Sequence, residues 1–178
     1  MAKLFLKQKK IPMQSLLDMK TANSAVKKAK VSISGYNPNM RSTDLRVDIE
    51  ARDYPDVNYE LLQMVNVWDG TLDPNNFFVK EYNYLVYNKG DHFKRHVDHL
   101  TKNGAVDPAG RLYSTSTVIS KSEDLKGGDL VIHSKDGYSV IVNLEVGETV
   151  FFDSFTNHEV TKVIQGTREV LVAWIHKK

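Results

Sequence analysis

The chain has 178 residues, enough for one folded domain with a substantial core, and its 41% hydrophobic and 26% charged residues are typical of a globular protein. It has no cysteine, which excludes disulfides, zinc–thiolate sites, iron–sulfur clusters and cysteine nucleophiles, so a transition metal would be bound by His, Asp or Glu. The net charge is only +2, and neither a membrane-span-length apolar run nor a secretory signal core is present, so we expect a cytoplasmic protein without a membrane partner.

The first thirty residues are strongly basic, because they contain many lysines and a single acid, Asp18. This segment would suit an anionic partner such as nucleic acid. No binding motif accompanies the lysines, so a solvated helix face is the simpler interpretation.

Apolar residues at helical spacing predict two helices, over Pro12–Lys28 and Pro55–Trp68. Proline suits the first position of the second helix, and the Asp69-Gly70 pair would end it. Between the helices, the alternating residues of Leu45–Ile49 predict a strand.

From about residue 80 onward, short apolar or alternating runs are separated by turn residues, a sequence pattern typical of a β-sandwich or barrel. Eight strands are predicted there: Tyr82–Tyr87, Phe93–Asp98, Leu112–Ile119, Leu130–His133, Tyr138–Leu144, Thr149–Phe152, Glu159–Ile164 and Glu169–Ile175. The predicted fold is therefore mainly β with N-terminal helices (α+β), a double-stranded β-helix or jelly roll with the helices bracing one sheet. We expect a single domain over 1–178, with helical support in 1–75 and the jelly-roll core in 80–176.

His96-Val97-Asp98 lies within one of these predicted strands. Residues i and i+2 of a strand point to the same face, so the imidazole and the carboxylate would converge on one point. A histidine from a distant strand would complete a two-His, one-carboxylate set of metal ligands, which suits iron(II) and leaves coordination positions open. The pair alone is a weak signal, because a surface histidine near an acid has the same pattern.

The residues around the pair form an ordered series that makes the interpretation more specific. The series comprises Tyr87, Gly90 and Phe93 before the pair, then Arg111, Gly127-Gly128-Asp129-Leu130, Val146-Gly147-Glu148, Val150-Phe151-Phe152, His158-Glu159-Val160, Val163, Gly166, Arg168 and Trp174. Over about residues 80 to 176, this series resembles the prolyl 4-hydroxylase-like branch of the iron(II)/2-oxoglutarate dioxygenases.

The resemblance implies that His158 is the third metal ligand and that Arg168 pairs with the distal carboxylate of 2-oxoglutarate. A buried dicarboxylate needs a fixed cation, and a planar guanidinium can bind a carboxylate with two parallel hydrogen bonds. Apolar neighbours on the same strand face, Val170 and Val172, favour an inward-pointing Arg168. We expect the turn at Gln165-Gly166 to fold the strand of His158 back against the strand of Arg168.

Two aromatic residues also match positions of the family. Tyr87 matches a tyrosine whose hydroxyl reaches the cosubstrate, although an ordinary strand aromatic is an equal alternative. Trp174 matches a tryptophan of the pocket wall, and core packing would explain it as well. Many relatives carry a second tyrosine where this chain has Val118, so the second hydroxyl is either missing or supplied by one of four nearby residues: Tyr113, Thr115, Ser116 or Thr117.

The remaining histidines are interpreted as structural or surface residues, because none shares the register of the pair. They are His92, His99, His133 and His176. Glu159, next to His158, would point to the opposite strand face and is a poor ligand candidate.

The resemblance implies an iron(II)- and 2-oxoglutarate-dependent hydroxylase that acts on a peptide or protein proline, with ascorbate as a further expected reductant. The loops Tyr36–Thr43 and His99–Gly110 would form the walls of a peptide groove, or a lid. Alternatives are the same chemistry on a free amino acid or a nucleic-acid base, and a cupin-like metal protein that does not use 2-oxoglutarate. The last alternative would not need Arg168. A catalytically silent module on the same fold would not need the intact set of ligands.

Overall fold

A computed structural model describes residues 3–21, 26–28, 37–46, 49–99, 101–102, 105–106 and 110–178. The helices are α1, Met13–Thr21, and α2, Pro55–Trp68. The strands are, in order from β1 to β14, Leu6–Gln8, Val26–Lys28, Arg41–Ser42, Asp44–Arg46, Phe77–Tyr87, His92–His96, Thr101–Lys102, Ala105–Val106, Arg111–Lys121, Leu130–His133, Ser139–Val142, Thr149–Asp153, Asn157–Val160 and Arg168–Lys177. Neither described helix has the length and apolarity needed to span a bilayer.

The strands form two facing antiparallel sheets. A seven-stranded sheet has the order β1-β12-β9-β14-β5-β4-β2, and a five-stranded sheet has the order β11-β10-β13-β6-β3. A separate hairpin pairs β7 with β8. Strands that are distant in sequence lie side by side in both sheets, as they do in a jelly roll.

The seven-stranded sheet is buried on both faces. Its outer face packs against the helices, through buried residues such as Met19 of α1 and Leu61 of α2. Its inner face packs against the five-stranded sheet in a second cluster that includes Val118, Ile132 and Val170. The prediction of helices bracing one sheet therefore agrees with the observed packing.

The helix predicted over Pro12–Lys28 is too long, because α1 ends at Thr21 and Val26–Lys28 forms the edge strand β2. The backbone of β2 pairs with β4, and this pairing overrides the helical spacing seen in the sequence. The strand predicted at Leu45–Ile49 is observed one residue earlier, as Asp44–Arg46, and residues 47–48 lie outside the described part of the chain.

The strand predicted at Glu159–Ile164 is displaced, because β13 is Asn157–Val160. Beyond it, the amides of Thr161 and Val163 donate to the carbonyls of Asp129 and Asp91, which belong to two different loops. Within this segment Val163 is buried, whereas Ile164 is 64% exposed, so the segment packs through Val163 and forms no regular strand beyond Val160.

The expected hairpin between the strands of His158 and Arg168 is wrong. His158 lies on β13, whose neighbours are β10 and β6, whereas Arg168 lies on β14, whose neighbours are β9 and β5. The chain crosses from one sheet to the other around Gln165-Gly166. The two side chains consequently face each other across the space between the sheets.

Candidate active site

His96, Asp98 and His158 converge at the inner face of the five-stranded sheet. His96 and His158 are directly paired on β6 and β13. The Nε2 atoms of both histidines lie 3.4 Å from the carboxylate oxygens of Asp98, His96 from Oδ1 and His158 from Oδ2. One ligand atom from each residue lies within 4.8 Å of the other two. In the described part of the chain, this is the one cluster of at least three His, Asp or Glu side chains with that geometry.

Both imidazoles are held in the orientation that metal binding needs. Nδ1 of His96 donates to the carbonyl of Lys94 at 2.7 Å, and Nδ1 of His158 donates to the carbonyl of Thr156 at 2.9 Å. A carbonyl oxygen only accepts, so Nδ1 carries the proton and Nε2 of the neutral ring presents its lone pair. Hydrogen bonds of this kind fix the tautomer and ring orientation of metal-bound histidines.

Asp98 follows the end of β6 instead of lying within it, which corrects the predicted strand Phe93–Asp98. Its amide donates to the carbonyl of Ser154 at 2.9 Å, and its Oδ2 accepts from the Ser114 hydroxyl at 2.8 Å. The carboxylate therefore reaches the two histidines through loop contacts, and strand alternation alone does not position it.

The electrostatics of the cluster favour an ionised carboxylate. Burial acts to raise the pKa of Asp98, but the charges and hydrogen bonds of His158 and His96 outweigh it and hold the pKa well below its usual value. Burial lowers the pKa of His96. For His158, burial acts to lower the pKa, while the Asp98 carboxylate outweighs it and raises the pKa. One anion and two imidazoles, all desolvated, are a donor set that suits iron(II).

A cavity that opens to solvent extends from this cluster between the sheets. Its walls are mostly apolar and include Leu85, Leu130, Phe152, Val160, Val170 and Val172. Arg168 also lines it and is 94% buried, with an exposed fraction of only 6%. The inward orientation predicted for Arg168 therefore agrees with the structure.

The backbone at Gly128 binds the Arg168 side chain. Nη1 of Arg168 donates to the carbonyl of Gly128 at 2.7 Å. Gly128 has a φ of +70°, and a Cβ there would lie 2.9 Å from a methyl group of Val163. Burial lowers the pKa of Arg168, with the Tyr87 and Asp129 side chains opposing this effect, and an arginine remains a cation even so.

Tyr87 lies beside Arg168, because the two residues are directly paired on β5 and β14. It lines the cavity, and its pKa is raised mainly by burial, so the phenol keeps its proton. The Arg41 side chain is hydrogen-bonded to it. Trp174 lines the same cavity nearer the other end of β14, with the Arg111 guanidinium 3.4 Å from its ring centroid.

Val118 pairs with Val170 and packs in the core cluster between the sheets. Of the four residues considered for the second hydroxyl, Tyr113 stacks on Phe151 outside the cavity. The Thr115 hydroxyl donates to a backbone carbonyl, and the Thr117 hydroxyl bonds to Thr149. Thr115 and Ser116 both line the cavity.

The other histidines are not part of the cluster. His133 bonds to Glu159 at 3.1 Å and to Ser139 at 2.7 Å on the outer face of the five-stranded sheet, as the opposite orientation of Glu159 predicts. His99 stacks on the exposed Phe155 near Asp98. His176 stacks on Phe78, and His92 contacts the Gly90 carbonyl.

The proposed groove walls are described only in part. Of the loop Tyr36–Thr43, residue 36 lies outside the described residues. Of the loop His99–Gly110, residues 100, 103–104 and 107–109 do so. Residue Arg41 of the first loop reaches the cavity, a contact that the sequence patterns did not indicate.

Comparison with known proteins identifies the family. Residues 82–176, just over half of the chain, match the model of the 2OG-Fe(II) oxygenase superfamily. The chain belongs to this superfamily. Iron(II) and 2-oxoglutarate, expected from the sequence, are thereby confirmed as the cofactors of its family.

Curated relatives and solved structures agree with this assignment. A PKHD-type hydroxylase of Acinetobacter baumannii is 31% identical over 91 residues, 50% of this chain and 40% of that protein, so the chain spans less than half the length of such a relative. A prolyl-4-hydroxylase structure from Pseudomonas putida has a TM-score of 0.69 at 18% identity and covers 98% of this chain and 92% of its own. A Trichoplax adhaerens prolyl hydroxylase, solved with a peptide of hypoxia inducible factor, has a TM-score of 0.68 at 14% identity, covering 97% of this chain and 83% of its own. The predicted jelly roll is confirmed by these likenesses.

Proposed function

We propose that this protein is an iron(II)- and 2-oxoglutarate-dependent hydroxylase, similar to the prolyl 4-hydroxylases, that acts on a proline of a peptide or protein. One observation carries the proposal. A His-Asp-His cluster lines the same cavity as a buried arginine. In both histidines of the cluster, Nδ1 is bonded to a backbone carbonyl, so Nε2 remains to bind a metal. A cupin-like metal protein without 2-oxoglutarate would need the cluster but not the arginine.

The site residues form two groups, one that would bind the metal and one that would bind the anionic cosubstrate. His96, Asp98 and His158 would hold iron(II) on one side and leave the cavity side open. When bound, the iron would supply the redox chemistry by which O2 and 2-oxoglutarate give succinate and carbon dioxide while a C–H bond becomes a C–OH bond. Ser114 and the carbonyl partners of the two histidines keep the ligand atoms in place.

The second group, Arg168 and Tyr87, would bind the distal carboxylate of the cosubstrate. Arg168 uses one of its five N–H groups on the Gly128 carbonyl, and its position in the cavity wall leaves the fork available to a carboxylate. Tyr87, protonated and adjacent, would donate a further hydrogen bond. The apolar walls exclude water, which strengthens both interactions.

The substrate end of the cavity would lie near Trp174 and Arg111. Their stacked pair and the His99–Phe155 pair give flat aromatic surfaces close to the metal ligands, which suit the ring of a proline and an extended backbone. A relative's fold was solved with a peptide bound, which supports the same substrate class.

Contacts of three lysines in the described part of the N-terminal segment support a structural role for these side chains over a nucleic-acid interface. Lys7 forms an ion pair with Glu148, and Lys20 forms one with Glu169. Lys3 donates to the carbonyl of Val67. These lysines therefore brace the N-terminal strand and α1 against the β-core.

The test is a turnover assay with iron(II), ascorbate and carboxyl-labelled 2-oxoglutarate, with and without a proline-rich peptide, a free-proline sample and a methylated oligonucleotide. We expect label to be released as carbon dioxide, most strongly with the peptide, and hydroxyproline to appear in equal amount. Stimulation by free proline or the oligonucleotide alone would replace the proposed substrate. No succinate under any condition, with wild type equal to His158→Ala, would refute the activity.

A further inference from the structure

Arg41 is a buried cation in the cavity, and the activity assigned above does not use it. It lies on β3, is 8% exposed, and lines the same space as Arg168 and the metal cluster. The backbone of β3 pairs with β6, with Arg41 opposite Phe93. A further bond from the Lys94 amide to the Met40 carbonyl fixes the start of this strand. The backbone that carries the guanidinium is therefore held in place.

The first contact of Arg41 is with the phenol of Tyr87, to which it is hydrogen-bonded. A guanidinium has donors and no acceptor, so the phenol oxygen accepts this bond. The phenol is left with its own O–H to donate. Since Tyr87 and Arg41 line the same cavity, that O–H is available to a ligand that occupies it.

The second contact of Arg41 is with the ring of Phe93. The guanidinium carbon lies 4.5 Å from the centroid of that ring, within cation–π distance. Phe93 also stacks on His96, with centroids 3.5 Å apart and an interplanar angle of 18°. The Phe93 ring therefore contacts both Arg41 and a candidate metal ligand.

These contacts make the orientation of one hydroxyl depend on one arginine. Tyr87 is the one tyrosine among the described residues that line the cavity. A single phenol that can rotate about its C–O bond loses part of its binding energy as rotational freedom. A fixed donor on its oxygen removes that freedom before the ligand arrives.

We propose that Arg41 is a positioning residue for the cosubstrate, which orients the Tyr87 hydroxyl toward the distal carboxylate of the bound 2-oxo diacid. The proposal rests on the proposed function, because it presupposes that the cavity binds a 2-oxo diacid. Arg41 acts through Tyr87, so its effect should disappear when the Tyr87 hydroxyl is removed. An arginine that merely supports β3 would have the same effect with or without that hydroxyl.

The experiment is a double-mutant cycle read by binding instead of turnover. Arg41→Met, Tyr87→Phe and the double variant are loaded with manganese(II) without oxygen and titrated with 2-oxoglutarate by calorimetry. Arg41→Met alone should weaken 2-oxoglutarate binding about tenfold, the worth of one well-placed hydrogen bond. In the presence of Tyr87→Phe, the same change should have an effect of less than about twofold. Manganese affinity should stay within about threefold of wild type, since the three ligands are unchanged.

The controls separate the possible failures. Arg52→Met removes an arginine that is exposed on the surface and should bind 2-oxoglutarate as wild type does. If Arg41→Met does not fold, Arg41→Lys, which keeps the charge but not the planar fork, takes its place in the cycle and should show the same dependence on Tyr87. Equal effects in both Tyr87 backgrounds, or no effect of either single change, would overturn the proposal. Failure of the wild-type protein to bind 2-oxoglutarate would instead overturn the proposed function.

Discussion

Replacing Arg168 by methionine should separate cosubstrate binding from metal binding. Methionine keeps much of the length of the side chain beside Gly128, but it removes the cation. Truncating one partner of a buried, hydrogen-bonded charge pair costs about 2–5 kcal/mol. At about 1.4 kcal/mol for each factor of ten, this predicts 2-oxoglutarate binding weakened by about 30-fold to about 5000-fold.

The assay is a calorimetric titration of 2-oxoglutarate into the manganese(II)-loaded protein, together with a titration of the metal into the metal-free protein. Metal affinity should change little, because Arg168 lies on β14, in the sheet opposite the strands that carry the two histidines. Arg52→Met, at an exposed site, is the matched control. The reasoning is refuted if Arg168→Met loses the metal while 2-oxoglutarate binding stays at the wild-type level.

Three further substitutions test the framework around the site. Gly128→Ala should destabilise the protein by about 1–3 kcal/mol, because its φ of +70° disfavours a side chain and a valine methyl lies against the Cβ position. Gly70→Ala is the control, because no atom lies within 4 Å of a Cβ at Gly70, and it should melt close to wild type in thermal unfolding. Leu61→Ala, at a site 1% exposed, should cost about 2–5 kcal/mol of unfolding free energy in urea, whereas Val67→Ala, on the same helix and 53% exposed, should cost under about 0.5 kcal/mol. Ser114→Ala removes a hydrogen bond to the metal-site carboxylate and should weaken manganese(II) binding about 10- to 100-fold by calorimetry; an unchanged affinity would show that the carboxylate does not need this support.

The parts of the fold that sequence patterns predicted are those governed by local periodicity. α2 and β10 have the predicted bounds. Their own residues indicate where each element begins and ends, because Pro55 begins the helix and β10 is one short apolar run. The long strands β5, β9 and β14 were predicted in place, although β9 and β14 extend further at both ends and β5 begins earlier, at Phe77. The additional residues pair with neighbouring strands, which local periodicity does not report.

The parts that were not predicted depend on contacts between distant segments. β1 and β3 are only three and two residues long, and each exists because it pairs with a strand of the core, β12 or β6. The arrangement of His158 and Arg168 in opposite sheets follows from the same long-range pairing. Arg41 could not be found from spacing, because it lies more than forty residues before Tyr87 and contacts it only in the folded chain.

Within the site, the resemblance indicated residue types and their order, and the structure adds the geometry. The three candidate ligands and Arg168 lie where the resemblance implied, around one cavity. The catalytic roles of these residues, those of Tyr87 and Trp174, the use of ascorbate and the cytoplasmic location stay predictions.

The central claim is most directly tested by a single-turnover measurement. Protein loaded without oxygen with iron(II), 2-oxoglutarate and a proline peptide is mixed with O2, and succinate is counted per chain for wild type and His158→Ala. The account predicts close to one succinate per wild-type chain, matched by hydroxyproline, and almost none for the variant. Equal succinate from both proteins, or succinate without dependence on added iron(II), would contradict it.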